Sequence, residues 1–477
     1  MVHMARQTAS SQGHDDYKTS TEVTRDLLSK YSHTGKMFRW AVLGFGILFV
    51  LGIIGFVIRL SDGVSDKSVW GYYAALFAFI LTTAQAAPMI AIAPRIAKGH
   101  WRRSISRPAE IWSVVGLLSM IMFIPLLWVL PTLEDRRRTL WFFDPETEFM
   151  NVPVYSPHIW STLAIIALVI TGIALLWVSA LPDMATVRDN MSGWRQRLAK
   201  RLAFGWQGTS EQWNMLYHRM GILGALYFMM LIFVHFLISV DFLMALVPGW
   251  IDALFPVTHA ANALQAGVAT MLITMFFLRQ FGGYKEYIGF DQFWGLGKLL
   301  LALSLLWFWF WFSSFIVLWY GKKPNEQAVL ELLMVGPYLP AFMMSFVFNF
   351  VVPLFTLIWN PLRRSIWGPT LIAFSVLIGT FFDRVRLYVA AYSIPGIGDP
   401  NVHKHELHLE DVKLLGNLPD MADIFIIIGG LAGVILMYLL VSKLIPVVNI
   451  WEQRELLLYK VHKPFHRAEV MVLGKRD

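Results

Sequence analysis

Cysteine is absent from all 477 residues. The chain therefore offers no thiolate to zinc or to an iron–sulfur cluster, and no disulfide. Any iron–sulfur chemistry it serves must come from a partner. Charge is scarce too: Asp, Glu, Lys and Arg make up 15% of the residues, against about a quarter in a soluble domain. The net charge of +8 does not point to nucleic acid, because the basic residues flank apolar runs. Residues 1–36 lack the basic start, short apolar core and small-residue cleavage site of a signal peptide. They read as a cytoplasmic tail with a surface helix around 21–31. No metal-ligand pattern of known type is present.

What the chain has in excess is apolar bulk. It is 56% hydrophobic, with 35 Phe, 22 Met and 20 Trp. A membrane-crossing helix needs about 20 predominantly apolar residues. Ten runs qualify, near 38–60, 70–94, 110–130, 159–180, 219–246, 259–279, 297–320, 336–359, 368–392 and 422–446. The fold expected is an all-α polytopic membrane protein. A tail (1–36) precedes a membrane domain (37–446), and a second tail (447–477) follows it. An even number of runs puts both ends on one side, and Lys and Arg choose the side. Segments around Arg95–Arg107, Arg188–Arg201, Arg363–Arg364 and Lys443–Arg476 are far richer in Lys and Arg than the alternate loops. Both termini are thus expected in the cytoplasm. The loops near 131–158, 247–258, 321–335 and 393–421 face outward. The last of these carries His403, His405 and His408, which read as a solvated tract.

An ionised side chain at mid-bilayer costs about 2.5–3.5 kcal/mol on the insertion scale, so such residues face a bundle interior or a watery cavity. The run from Val234 to Pro256 is interrupted by His235 and Asp241, then broken at Pro248-Gly249-Trp250. Its direction places Asp241 in the outer half. His158 opens the fourth run from the outer side, and His259, Asn262 and Gln265 open the sixth. Asp383, Arg384 and Arg386 lie in the outer half of the ninth. These groups can converge on one outer polar pocket. A quinone headgroup needs such a place: hydrogen-bond partners for its oxygens, and a carboxylate or His to take protons. Each residue also has a structural reading. Asp383 and the arginines neutralise one another, His158 caps a helix, Asp241 pairs with an arginine, and His235 is a satisfied core residue. A second set lies inward: Gln85, Glu110, Asp183 and Asp189. It reads either as a proton path or as helix-end electrostatics. The aromatic run 305–320 is explained by lipid contact and an interfacial belt.

Several segments, taken in order, are familiar. They are HWRRSISRPAEIWSV (100–114), YSPHIWSTLAI (155–165), LPDMATVRDN (181–190), LAFGWQGTSEQW (202–213), ISVDFLMALVPGWIDALFP (238–256), FIVLWYGKKPNEQ (315–327), NFVVPLFTL (349–357) and GTFFDRVRLYV (379–389). Their order and spacing resemble the NrfD or polysulfide-reductase membrane-subunit family. Within it they most resemble the ActC-type subunits of bacterial alternative complex III. The resemblance implies ten helices, eight of them in two four-helix bundles, in the bacterial cytoplasmic membrane. It implies menaquinol oxidation near the outer face, beneath an extrinsic iron–sulfur subunit. Other membrane and cytochrome subunits would accompany it, including a homologous NrfD-like one. No redox metal would be held by this chain.

On that reading Asp241, with His158 or Asp252, accepts the quinol protons. Arg384, Arg386 and Asp383 hold or orient the headgroup, with His259, Asn262 and Gln265 as lesser contacts. Gln85, Asp183, Asp189 and His235 carry protons. The chain departs from the ActC-like pattern at Gln85, at Ser161 and at Ile251, where that pattern has His, Asp and His. These departures keep two alternatives open: a scaffold with a vestigial quinone site, and a proton-translocating module.

Overall fold

The computed structural model describes residues 18–133, 139–141, 153–395, 412, 415–465 and 468–473. The His403, His405 and His408 tract and Arg136–Arg138 lie outside them. In hydrocarbon every backbone polar group must be satisfied within the segment, so the apolar runs fold as helices. In chain order these are α1 (Ser20–Ser32), α2 (Lys36–Ser61), α3 (Lys67–Ile96), α4 (Ser106–Val129), α5 (Ser156–Asn190), α6 (Trp194–Leu202) and α7 (Ser210–Asp241). They continue with α8 (Phe255–Gln280), α9 (Phe290–Gly321), α10 (Pro324–Leu330), α11 (Leu339–Leu357), α12 (Trp367–Arg384), α13 (Met421–Val441) and α14 (Ile450–Tyr459). A two-stranded antiparallel hairpin, Lys460–Phe465 with Ala468–Leu473, follows.

Among the described residues nine helical runs are long and apolar enough to cross a membrane. The ninth expected span is the exception. From Trp367 it stays helical to Ser393 through a π-helical turn, Val385–Val389. Asp383, Arg384 and Arg386 keep it outside the apolar set. It is nonetheless packed inside the molecule, against α3, α8 and α11.

The contacts group α3, α4, α5 and α7 into one four-helix unit, and α8, α9, α11 and α12 into another. The units meet where α3 crosses α8 and the helix of α12. The central element is α3, buried along its apolar length. It breaks at Gln85–Pro88 and resumes at Met89. Gly267 of α8 lets that break be approached: a Cβ there would lie 2.7 Å from the Ala86 carbonyl carbon.

The two remaining long helices, α2 and α13, form a flanking pair. Gly52 and Gly429 touch backbone to backbone, and a Cβ on Gly52 would sit 2.5 Å from the Gly429 Cα. At one end of the pair Arg59 Nη2 meets Asp420 at 2.7 Å and Asp423 at 2.9 Å. At the other, Lys443 donates to the His33 carbonyl at 2.7 Å and the Tyr31 hydroxyl to the Leu444 carbonyl at 2.9 Å. Helices α1 and α14 therefore lie on the same face. That face, which also bears Arg95, Arg102, Arg103 and Arg107, is here called the basic face.

The basic face is closed by α14. Glu452 is fully buried and accepts from Arg102 Nη1 at 2.5 Å, with Arg95 Nη2 at 3.6 Å. The Trp451 N–H donates to Asp183 Oδ1 at 3.0 Å. Arg107 lies between Glu110 (3.3 Å) and Asp183 (3.1 Å). Burial alone would raise the Glu452 carboxyl; Arg102 and Arg95 overcome that and hold it below its ordinary value of 4.5. A depressed folded value stabilises the docked helix above the unfolded value, and that stabilisation is lost as pH falls through the folded one. Docking of α14 is thus expected to be complete at pH 7 and to loosen below about pH 4.5. Glu452→Ala, which strands Arg102, is expected to cost about 3–5 kcal/mol at neutral pH. Because the chain lacks cysteine, a spin label on Leu456→Cys reports the docking directly. Unchanged label mobility in the Glu452→Ala background would dismiss this role.

Candidate functional site

Three π-helical turns lie in the α8–α12 unit and its approach: Glu331–Val335 after α10, Val347–Val351 within α11, and Val385–Val389 after α12. A π turn widens the helix by one residue and releases carbonyls from the regular ladder, often at functional sites. Here the neighbouring backbone oxygens are used by side chains. Gln265 Nε2 donates to the Asn349 carbonyl at 2.8 Å, and Arg386 Nη1 to the Leu333 carbonyl at 3.4 Å.

Around these turns sits a buried charged cluster. Asp383 accepts from Arg384 Nη1 at 3.1 Å, from Arg386 Nη2 at 2.7 Å and Nε at 3.0 Å, and from the Ser345 hydroxyl at 3.1 Å. Arg384 also donates to Asn262 Oδ1 at 2.7 Å and to the Thr82 hydroxyl at 3.2 Å. Asn262 leads on to Gln265 (3.2 Å), whose amide reaches Ser304 at 2.8 Å. The Arg384 contacts tie α12 to α3 and α8, the three helices where the two units meet.

Beside the cluster is a chain of rings. His235 of α7 and His259 of α8 bring their Nδ1 atoms to 3.0 Å, and His259 Nε2 lies 3.2 Å from the Tyr388 hydroxyl. Neutral imidazole has one donor and one acceptor nitrogen. With the shared proton on His259 Nδ1, its Nε2 accepts from Tyr388. With that proton on His235, His259 Nε2–H donates to the Tyr388 oxygen. The chain has two tautomeric states that differ only in where the protons sit.

Both features border a cavity. Its polar lining is Asp252, Thr258, His259, Ser314, Asp383, Arg384 and Arg386. Its apolar walls include Trp250, Phe255, Trp311, Leu318, Leu330, Leu333, Met334 and Leu387. Its empty volume, counting the open mouth, is about 500 Å³, of which about 40 Å³ accepts the centre of a water. That smaller space holds about three waters, so a ring-sized ligand needs the apolar walls to move apart. Asp252 Oδ1 caps α8 by accepting the Leu254 N–H at 2.9 Å, and its Oδ2 accepts from Ser314. The cavity lies toward the face opposite the basic one.

The expected site residues thus divide. Asp252, His259, Asp383, Arg384 and Arg386 share the cavity, with Asn262, Gln265 and His235 directly behind it. Asp241 is not among the lining residues. It is 1% exposed at the end of α7, and its two oxygens accept from the indoles of Trp141 (2.9 Å) and Trp160 (2.7 Å). His158 lies near it, edge-on to Phe242 at 6.0 Å between ring centres. Gln85 sits at the α3 break, where its carbonyl accepts from the Tyr227 hydroxyl at 2.6 Å. Asp183 belongs to the network under α14. Asp189 lies apart on the basic face, paired with Arg188 at 2.7 Å. Sequence reasoning missed Tyr388, Ser345, Asn349, Thr82 and Ser314. Tyr388 had no signal in its spacing, because the π turn Val385–Val389 takes it off the α-helical spacing from Arg384.

A family model described as polysulphide reductase, NrfD, matches residues 57–396. No curated protein matches the chain.

Proposed function

The chain belongs to the NrfD polysulphide reductase family, and on that premise we propose that it is the quinol-handling membrane subunit of an alternative complex III-like electron-transfer complex. The family match fits a multi-pass subunit of a membrane redox complex, and proteins of this family partner with iron–sulfur subunits. The basic face is the cytoplasmic one, since Lys and Arg accumulate there; the cavity then lies in the outer half of the bilayer. The observation that carries the reading is the cavity: a floor of one carboxylate, two guanidiniums and a histidine under apolar and aromatic walls. A menaquinol headgroup needs donors and acceptors for its oxygens and a dry place for its ring. Arg384 or Arg386 orients an oxygen. His259 accepts a proton and shares it with Tyr388 and His235. Asp252 stands at the mouth as the next acceptor. The electrons leave to an extrinsic iron–sulfur subunit on the outer face.

A light-activated menaquinone analogue bound to the purified native complex tests this. The label is expected on Trp311–Leu318 or Val329–Met334, and excess menaquinone should displace it. Labelling confined to the basic face, or indifferent to menaquinone, would end the proposal. It would leave the scaffold alternative.

A further inference from the structure

At the other face a single indole gathers two cations. Lys298 Nζ lies 3.9 Å from the centre of the Trp294 ring, and the Arg364 guanidinium carbon lies 5.0 Å from it. Lys298 follows Trp294 by one turn of α9, which stacks the two side chains. Arg364 arrives from the turn between α11 and α12. Its neighbour Arg363 is committed to that turn, donating to the Leu357 carbonyl at 3.2 Å and to Asn360 Oδ1 at 2.6 Å.

Among the buried arginines, Arg59, Arg95, Arg102, Arg107, Arg384 and Arg386 are each ion-paired, and the buried Lys67 is held by the Tyr392 and Ile394 carbonyls. Lys298 and Arg364 take part in no ion pair among the described residues. Two like charges at one ring repel, and at an exposed site each gains only about 0.5–1 kcal/mol from the ring itself. The nearby start of α12 adds the positive end of a helix dipole. The local field calls for an anion.

The surroundings indicate which anion. Trp359, Trp367 and Leu371 are 65%, 60% and 59% exposed beside the same turn. Exposed tryptophans at a helix end mark the level of lipid headgroups, and Leu371 lies one turn deeper, at acyl-chain level. A free phosphate has no use for that apolar surface; a phospholipid has. A zwitterionic headgroup would bring its own cation back to the pair, whereas an anionic one neutralises it. We infer that Lys298, Arg364 and Trp294 form a binding site for the phosphate of an anionic phospholipid in the leaflet of the basic face. Its acyl chains lie along Trp367 and Leu371. The site seats the lipid in the groove between α9 and α12, far from the cavity.

The test uses the purified protein in nanodiscs, with phosphatidylglycerol, phosphatidylcholine and inorganic phosphate as probes and native mass spectrometry as readout. Phosphatidylglycerol is expected to be retained over phosphatidylcholine. Each cation removed should weaken retention roughly fivefold, so Lys298→Ala with Arg364→Ala should weaken it roughly 25-fold. The charge-keeping pair Lys298→Arg with Arg364→Lys should stay within about twofold, because membrane attraction follows the charge. Both side chains are exposed, so the variants should melt with the parent, and a matched melting temperature confirms that retention was read on folded protein. Equal retention of the two lipids overturns the inference, as does a double alanine variant that keeps phosphatidylglycerol. Inorganic phosphate that displaces the lipid at equal concentration would make the site a plain anion site, and this also overturns it.

Discussion

Asp383→Ala is expected to destabilise the protein by about 3–5 kcal/mol, the usual cost of removing one partner from a buried ion pair. Asp383 is the shared acceptor of two guanidiniums that are themselves 0% and 4% exposed. With it present the trio carries one net positive charge. Without it two arginines remain in hydrocarbon, with only neutral acceptors: Asn262, Thr82 and the Leu333 carbonyl. Neutral acceptors satisfy N–H groups and leave the charge uncompensated. The loss should appear as a lower melting temperature of the purified protein and as increased protease sensitivity around α12. A second variant makes the argument specific. Asp383→Ala combined with Arg386→Met restores the original net charge, so it should recover part of the loss. A coupling of at least about 1.5 kcal/mol in the double-mutant cycle is expected for groups in one network. If the two changes simply add, the pair does not share a charge balance, and the cluster is held together by its hydrogen bonds alone.

The sequence held most of this cluster in plain view. Charged residues in a ninth apolar run have few fates, and Asp383, Arg384 and Arg386 were read both as a mutually neutralising set and as headgroup contacts. The structure gives them both positions at once: paired with each other, and lining the cavity. The ten-run pattern was legible for a related reason, while the division into two bundles and a flanking pair came only with the resemblance. Length and hydropathy are one-dimensional properties, and a bilayer imposes them. Three other features were not legible. The His235–His259 contact depends on how α7 is rotated against α8, which no spacing within either helix records. The π turns shift the helical register by one residue without any mark in composition, so Asn349 and Tyr388 were not aimed anywhere by periodicity. The burial of Glu452 depends on arginines 350 residues away in the chain, and from sequence α14 read only as part of a tail.

Asp241 is a different case. Its cost in hydrocarbon marked it in the sequence, where an arginine was the partner expected. Two indole N–H groups donate to it, one from α5 and one from the loop before it. Tryptophan counts as apolar in every hydropathy sum, yet it carries a donor that a buried acceptor can use. Asp252, expected beside Asp241 as a proton acceptor, is the carboxylate that lines the cavity together with Asp383.

His259 carries the second large effect. It is the one residue that both lines the cavity and belongs to the ring chain. A positioned general base contributes about 10²–10⁴-fold to a proton-transfer step. His259→Leu in the purified native complex should therefore lower kcat for menaquinol oxidation by a factor in that range. Leucine fills a similar space among Phe255 and Tyr388, so the fold should survive, and melting beside the parent checks it. Tyr388→Phe and His235→Leu remove the next links while leaving His259 at the cavity. Their losses should be smaller, and His259→Leu combined with either should be little worse than His259→Leu alone, because groups acting as one relay are not additive. The KM separates roles: a raised KM with an unchanged kcat would make His259 a binding contact and remove it from proton transfer. Unchanged kcat and KM, in a variant that still folds, would leave the cavity without its base. The quinol site would then have to be sought near Asp241 and His158, the other outer cluster.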